Sequence, residues 1–338
     1  MTNQHKYRWI FVAVIIILAV ALGVFAFIRW RMPEPGQAEF DAGNAAYKAG
    51  DYKTAVERFK LAADQGNLKA QTLVGLFYME GMGVEQDCAE AVNWLRPAAE
   101  QGVGGAQAKL GMCYAEGLGV EQDHAEAVKW YRKAAEQGVP DAQILLAAAY
   151  GLGRGIEQDD EAAFEWMLEA ARQGEDLAQY NLANFYRNGR GMKQSDKDAA
   201  KWFKKAAKQG HADAQYEYAC CCEDGRGVKQ SDKDAAEWFR KAAEQGHVEA
   251  IFELADCYEV GFGVDTDPAQ ALEWYRLALE KGHAKAQERI DDILEMEENR
   301  KAAEQGSADA QLIMGNYYEN KYAEEAVKWL TLAAEQGL

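Results

Sequence analysis

Five histidines, six cysteines and a set of glycine pairs are the residues of this 338-residue chain whose types could do chemistry. The stretch GRGVKQSDKDAAEWFRKAAEQG, from Gly225 to Gly246, opens with two glycines and a basic residue directly before a helical pattern. Backbone N–H groups at such a helix start can cradle phosphate. His211, His247 and His283 share one position of a recurring pattern, and Cys113, Cys221 and Cys257 share another. Imidazole and thiolate are metal ligands, and a thiolate is also a nucleophile. Ser195, Ser231 and Ser307 are the only serines.

Recurrence weighs against each of these chemistries. Gly225 and Gly227 are one of six copies, with Gly81/Gly83, Gly117/Gly119, Gly153/Gly155, Gly189/Gly191 and Gly261/Gly263. A phosphate loop follows a strand, and no strand pattern precedes these pairs, so they read as turns. Histidines one repeat apart stand roughly 10 Å from each other, too far to converge on a metal. The triplet Cys220, Cys221 and Cys222 points in three directions on a helix, so it reads as packing rather than as a metal or redox site. The serines are followed at the third place by Asp198, Asp234 and Ala310, not by the Lys of a Ser-x-x-Lys nucleophile. No catalytic residue, metal, cofactor or small-molecule substrate is expected.

The elements that hold these residues repeat every 36 positions. Glycines fall at 66, 102, 138, 174, 210, 246 and 282, and Trp94, Trp130, Trp166, Trp202, Trp238 and Trp274 keep the same spacing. Within one unit, Ala106, Leu110, Cys113 and Tyr114 make one helical stripe, and Ala127, Trp130, Tyr131 and Ala134 make another. Gly117-Leu118-Gly119 ends the first helix, and Val120 folds back onto the pair. Asp123 with Glu126 predicts a capping box for the second helix. The device recurs as Asp87/Glu90, Ser195/Asp198, Ser231/Asp234 and Asp267/Gln270.

The chain reads as an N-terminal tail (1–9), a transmembrane helix (10–28), a linker (29–37) and a short cap (38–66). Six 36-residue units (67–282) follow, then a degenerate unit expected to form one long acidic helix (283–306), and a C-terminal cap (307–338). Ile10 to Ile28 is uncharged, about 28 Å long as a helix and bracketed by Trp9 and Trp30. Its exit lacks a small-x-small cleavage pattern, which favours an uncleaved anchor over a signal peptide. Lys6, Arg8 and the chain amine outweigh Arg29 and Arg31, which puts the N-terminus inside and the body outside. Unpaired cysteines pull the other way, toward a reducing compartment.

The chain carries −18 overall, with +4 in residues 1–32 and −22 in the rest. A body this acidic excludes general nucleic-acid binding. The exception is the unit from Glu175 to Gly210, which carries +4.

The AQ early in helix one, the G-x-G-V turn, Asp-x-x-Glu and AVKWYRKAAEQG together resemble the Sel-one-like repeat family, a branch of the tetratricopeptide superfamily. The resemblance runs from Ala38 to Leu338. It implies an all-α, right-handed superhelical solenoid of helix-turn-helix repeats, which the reading of residues 10–28 places behind one transmembrane helix. It also implies an adaptor for protein complexes, often in bacterial envelopes or secretion-linked processes, and no reaction. The expected role is a scaffold held in a bacterial inner membrane, single-pass, with a periplasmic repeat domain. The expected partners are proteins, including acidic segments, and the lipid bilayer through residues 10–28. A regulator or spacer in envelope assembly or secretion is the alternative; a β-lactam- or peptidoglycan-related enzyme ranks below it. Candidate contacts are Tyr186, Arg187, Tyr216 and Glu217 on first helices, with Arg154, Arg190 and Arg226 in three successive turns.

Overall fold

The computed structural model describes residues 34–318 and 323–337. These form seventeen α-helices and, among the described residues, no strand. The candidate anchor at residues 10–28 lies outside them. Among the described residues no helix is long and apolar enough to cross a membrane.

Two compact units divide after Asp159. The first holds α1 (Gln37–Lys48), α2 (Tyr52–Asp64), α3 (Leu68–Glu80), α4 (Cys88–Glu100), α5 (Gly104–Glu116), α6 (His124–Glu136) and α7 (Pro140–Leu152). The second holds α8 (Asp160–Arg172), α9 (Asp176–Asn188), α10 (Asp196–Lys208), α11 (Ala212–Asp224), α12 (Asp232–Glu244) and α13 (Val248–Val260). It continues with α14 (Pro268–Glu280), α15 (Ala286–Glu304), α16 (Ala308–Tyr318) and α17 (Ala323–Glu335).

The local causes are visible in α6. The Asp123 side chain accepts from the Glu126 N–H at 2.9 Å and so starts the helix. Ala127, Trp130, Tyr131 and Ala134 are buried on one stripe. Gly138 then turns the chain out with φ 82°. Alanines dominate the buried faces and let helices approach closely around larger residues such as Leu110 and Leu146 in the first unit and Phe203 and Phe239 in the second. Each such side chain, fully buried, contributes about 1.5–3 kcal/mol.

The expected capping box forms only in half. Asp87, Ser195 and Ser231 accept from the third N–H of their helices, as Asp123 does. The return bond does not form, because the cap N–H is already used. The Asp123 N–H donates to the Tyr114 carbonyl at 2.8 Å, and the Ser195 N–H to the Tyr186 carbonyl at 2.9 Å, closing the turn. Glu90 is thus released and accepts from Trp94 Nε1 at 2.9 Å.

The two glycines of each turn do different jobs. Gly117 takes φ 71° as the helix cap, and the following N–H returns to the Cys113 carbonyl at 2.9 Å. Gly119, with φ 70°, lies so close to the start of α4 that a Cβ there would sit 2.2 Å from the Cys88 carbonyl oxygen. In the second unit, a Cβ at Gly227 would meet the Asp196 oxygen at 2.1 Å, and one at Gly263 the Asp232 oxygen at 2.1 Å. Backbone-to-backbone contact therefore sets how near one repeat lies to the next.

A second device joins helices through buried amides. Gln107 donates to the Ala99 carbonyl at 3.0 Å and accepts from Gln137 at 2.7 Å, linking α4, α5 and α6. Gln215 repeats this with Ala207 and Gln245, and Gln311 with Ala303 and Gln336. In the repeat starting at α13 both members change together: Ile251 stands for the inner glutamine and Lys281 for the outer one.

Gly227→Ala should cost more than about 2 kcal/mol, since left-handed backbone alone costs roughly 1–2 and the new methyl strikes backbone. Gly210→Ala, with nothing within 4 Å, should cost only the backbone part; equal losses in urea denaturation would refute the contact. Gln215→Ile should lose about 0.5–1.5 kcal/mol with its hydrogen bonds to the Ala207 carbonyl and to the exposed Gln245. Adding Gln245→Lys should cost little more, since its partner is already gone, a coupling that a double-mutant cycle reads.

Candidate protein-binding surface

The candidate contacts on first helices are engaged inside the repeat stack. Arg187 on α9 pairs with Glu217 on α11 and with Asn184, and its guanidinium lies 5.3 Å from the Phe203 ring centre. Tyr216 stacks on His247 at 4.7 Å between ring centres. Tyr186 meets the Phe164 ring edge-on at 5.4 Å. Burial raises the phenol pKa values of both tyrosines. These side chains hold neighbouring repeats in register.

The turn arginines divide. Arg190 turns back to Asp160 at 2.6 Å, while Arg226 is exposed and pairs with Asp224 of its own turn at 2.8 Å. Arg154 is exposed in the first unit.

His211 and His247 are helix caps, and with His283 they share a packing role. Nδ1 of His211 accepts from the Ala214 N–H, and Nδ1 of His247 from the Ala250 N–H. His211, His247 and His283 stack on Tyr180, Tyr216 and Phe252 of the preceding first helix at 4.7, 4.7 and 4.1 Å. No cluster able to hold a metal ion occurs among the described residues. Cys113, Cys221, Cys222 and Cys257 are buried. Burial pushes the thiols of Cys113 and Cys221 up to about 11, and those of Cys220 and Cys257 to about 12. Thiols held that high are poor nucleophiles at neutral pH. Ser195, Ser231 and Ser307 each accept a cap hydrogen bond.

Cys222 stands where other repeats carry a tyrosine, and the change is compensated. In four other repeats the phenol oxygen accepts from a base eighteen residues back, as from Arg96 to Tyr114 at 3.0 Å and from Arg240 to Tyr258 at 2.8 Å. Here Tyr218, one turn earlier, lies under Lys204 at 5.1 Å and meets Trp238 edge-on. The hydrogen bond from Lys204 goes to Tyr218 and raises the lysine pKa.

Tyr218 also lines a basic groove of about 610 Å³ between α10 and the turn of the next repeat, in which Asp198 is the one carboxylate. Lys197, Lys201, Lys204, Lys205 and Lys208 line it, with Tyr218 and Val228 as its apolar wall. Lys205 lies 3.6 Å from the Trp202 ring centre, and burial followed by Lys201 lowers its pKa. The basic repeat is visible in the sequence, and its groove lies against a second helix, whereas the candidate contacts sit on first helices and in turns. A four-residue lysine spacing on α10 is the signal that marks it.

Opposite chemistry gathers on α11 and α13. Glu253 is pushed up to about 7 by burial and by the carboxylates of Glu223 and Asp256. It therefore exchanges its proton near neutrality.

The Sel1 repeat model matches residues 40–67, 68–103, 105–139, 140–175, 176–211, 212–247, 248–283 and 308–338. A protective antigen present in uropathogenic Escherichia coli strains, with an SLR fold, is 35% identical. The match covers 90% of this chain and 69% of that one, with a TM-score of 0.71. A Sel1 repeat protein from Oxalobacter formigenes is 32% identical over 71% of this chain and 96% of its own, with a TM-score of 0.62. No curated protein matches the sequence. Sel1 repeat proteins are generally protein-interaction scaffolds. With eight matched repeats and two relatives above 30% identity, the chain belongs to the Sel1 repeat family.

Proposed function

We propose that this chain is a non-catalytic scaffold of a bacterial inner membrane, anchored through residues 10–28, that binds acidic segments of partner proteins in the lysine groove of α10. One observation carries the reading: five lysines converge on a groove with an aromatic wall in a body that is otherwise strongly acidic. A carboxylate-rich segment gains attraction there, while the surrounding negative surface repels it elsewhere, which gives both steering and register. Arg154 and Arg226 are the exposed turn arginines, Arg226 sharing its charge with Asp224 of its own turn. Tyr186, Arg187, Tyr216, Glu217 and Arg190 act as positioning residues for the repeats around the groove.

A periplasmic body is the reading favoured by the flanking charges, since Lys6, Arg8 and the chain amine outweigh Arg29 and Arg31. The free thiols do not oppose this, since four of the six are buried.

A labelled Asp/Glu-rich peptide should bind the full chain in detergent with strong salt dependence. Lys197→Glu with Lys201→Glu and Lys208→Glu should weaken it by about tenfold or more; unchanged affinity in a folded variant overturns the groove. Alkaline phosphatase fused after Leu338 should be active and a green fluorescent protein there dark. The reverse pair of results places the repeats in the cytoplasm.

A further inference from the structure

The regular repeats place two antiparallel helices in 36 residues, but the stretch between the last two family matches, residues 284–307, contains one helix. That helix, α15, runs for 19 residues where its neighbours α13 and α14 run for 13. It begins without a side-chain cap and has no returning partner of its own. A trough of about 570 Å³ runs along it, bounded by the end of α13, the start of α14, and parts of α16 and α17.

The floor is apolar and open. Ile293 and Met314 are buried beneath it, while Val260 is 37% and Ile313 44% exposed. The rim is acidic: Glu259, Asp292, Glu295, Glu297 and Glu325 face it, against Arg289 and Arg300. Arg289 is already drawn to Glu259 at 2.7 Å and to Asp256 at 3.3 Å. Excess negative charge thus borders exposed apolar surface. Arg289, Ile293, Met296 and Arg300 recur every three or four residues, so the trough follows α15 for about 16 Å. Its length is that of a short helix, and it lies where the repeat pattern lacks one.

We propose that this trough docks a short amphipathic helix of a partner protein, apolar on the buried face and flanked by Lys and Arg. Such a helix would complete the interrupted repeat in trans, using helix-in-groove recognition. The charge of this occupant is opposite to that of the segment assigned to α10, so the two sites select different ligands.

The probes are a fluorescein-labelled Leu/Lys amphipathic helix and a Leu/Glu helix of equal length, titrated against the full chain in detergent. Three variants are compared: Ile313→Glu in the trough, Val327→Glu at a 63% exposed position that does not line it, and Glu295→Lys with Glu297→Lys. The Leu/Lys helix should bind and the Leu/Glu helix should not. Ile313→Glu should weaken binding about tenfold or more, although it adds attraction for a basic peptide, because it places a charge on the apolar floor. Val327→Glu should leave affinity unchanged, and the lysine pair should weaken it about tenfold. Circular dichroism confirms that each variant is folded. Equal effects of Ile313→Glu and Val327→Glu would reduce the binding to general charge attraction and overturn the proposal. Sedimentation showing an oligomer that Ile313→Glu dissociates would assign the trough to a second copy, which also overturns it.

Discussion

A buried side-chain amide has two donors and an acceptor to satisfy, and this demand organises the repeats. Gln107, Gln179 and Gln215 are almost fully buried. Each donates to the last turn of the helix before it, and each accepts from a glutamine thirty residues on. An unpartnered amide in that position costs more than the bond itself contributes. Hydrophobic contact alone would allow alanine-rich helices to slide, because small side chains interlock weakly. The amide contacts permit one register. Gln71 shows the edge of the rule: its oxygen is buried without a partner near the start of the array.

Backbone contact at the second glycine of each turn supplies the complementary limit on spacing. Amides fix how helices align, and the glycines fix how close consecutive repeats approach. Between these constraints the aromatic positions become adjustable. Tyr218 replaces the tyrosine lost at Cys222 from a different turn of the helix, and the base on the preceding helix still finds a phenol oxygen. Tyr218 also lines the basic groove.

Most of the fold was legible because its signals are local. Caps, glycine turns and apolar stripes act within one helix or one turn, and the 36-residue period makes each visible several times. The half-formed capping box was not legible, since it depends on the Tyr114 carbonyl reaching Asp123 across the turn. The engagement of Tyr216 and Arg187 within the stack was equally hidden. Their partners, His247 and Glu217, lie one repeat away, and sequence shows residue types without showing which are already engaged. The grooves at α10 and α15 border departures, a relocated tyrosine and a missing helix, whose spatial effect no periodicity encodes. The paired change to Ile251 and Lys281 was a readable signal, a thirty-residue offset in step with the glutamines.

That paired change bears on how such an array grows. Tandem repeats expand and contract through unequal crossover, and the DNA-level joint can fall anywhere in the unit. A joint between the two helices of a hairpin would put Ile251 opposite a glutamine, or a glutamine opposite Lys281, and so part the matched pair. A joint at the glycine that ends the second helix transfers both partners together. The chemistry of one amide pair therefore makes the hairpin, rather than the single helix, the heritable module of this chain.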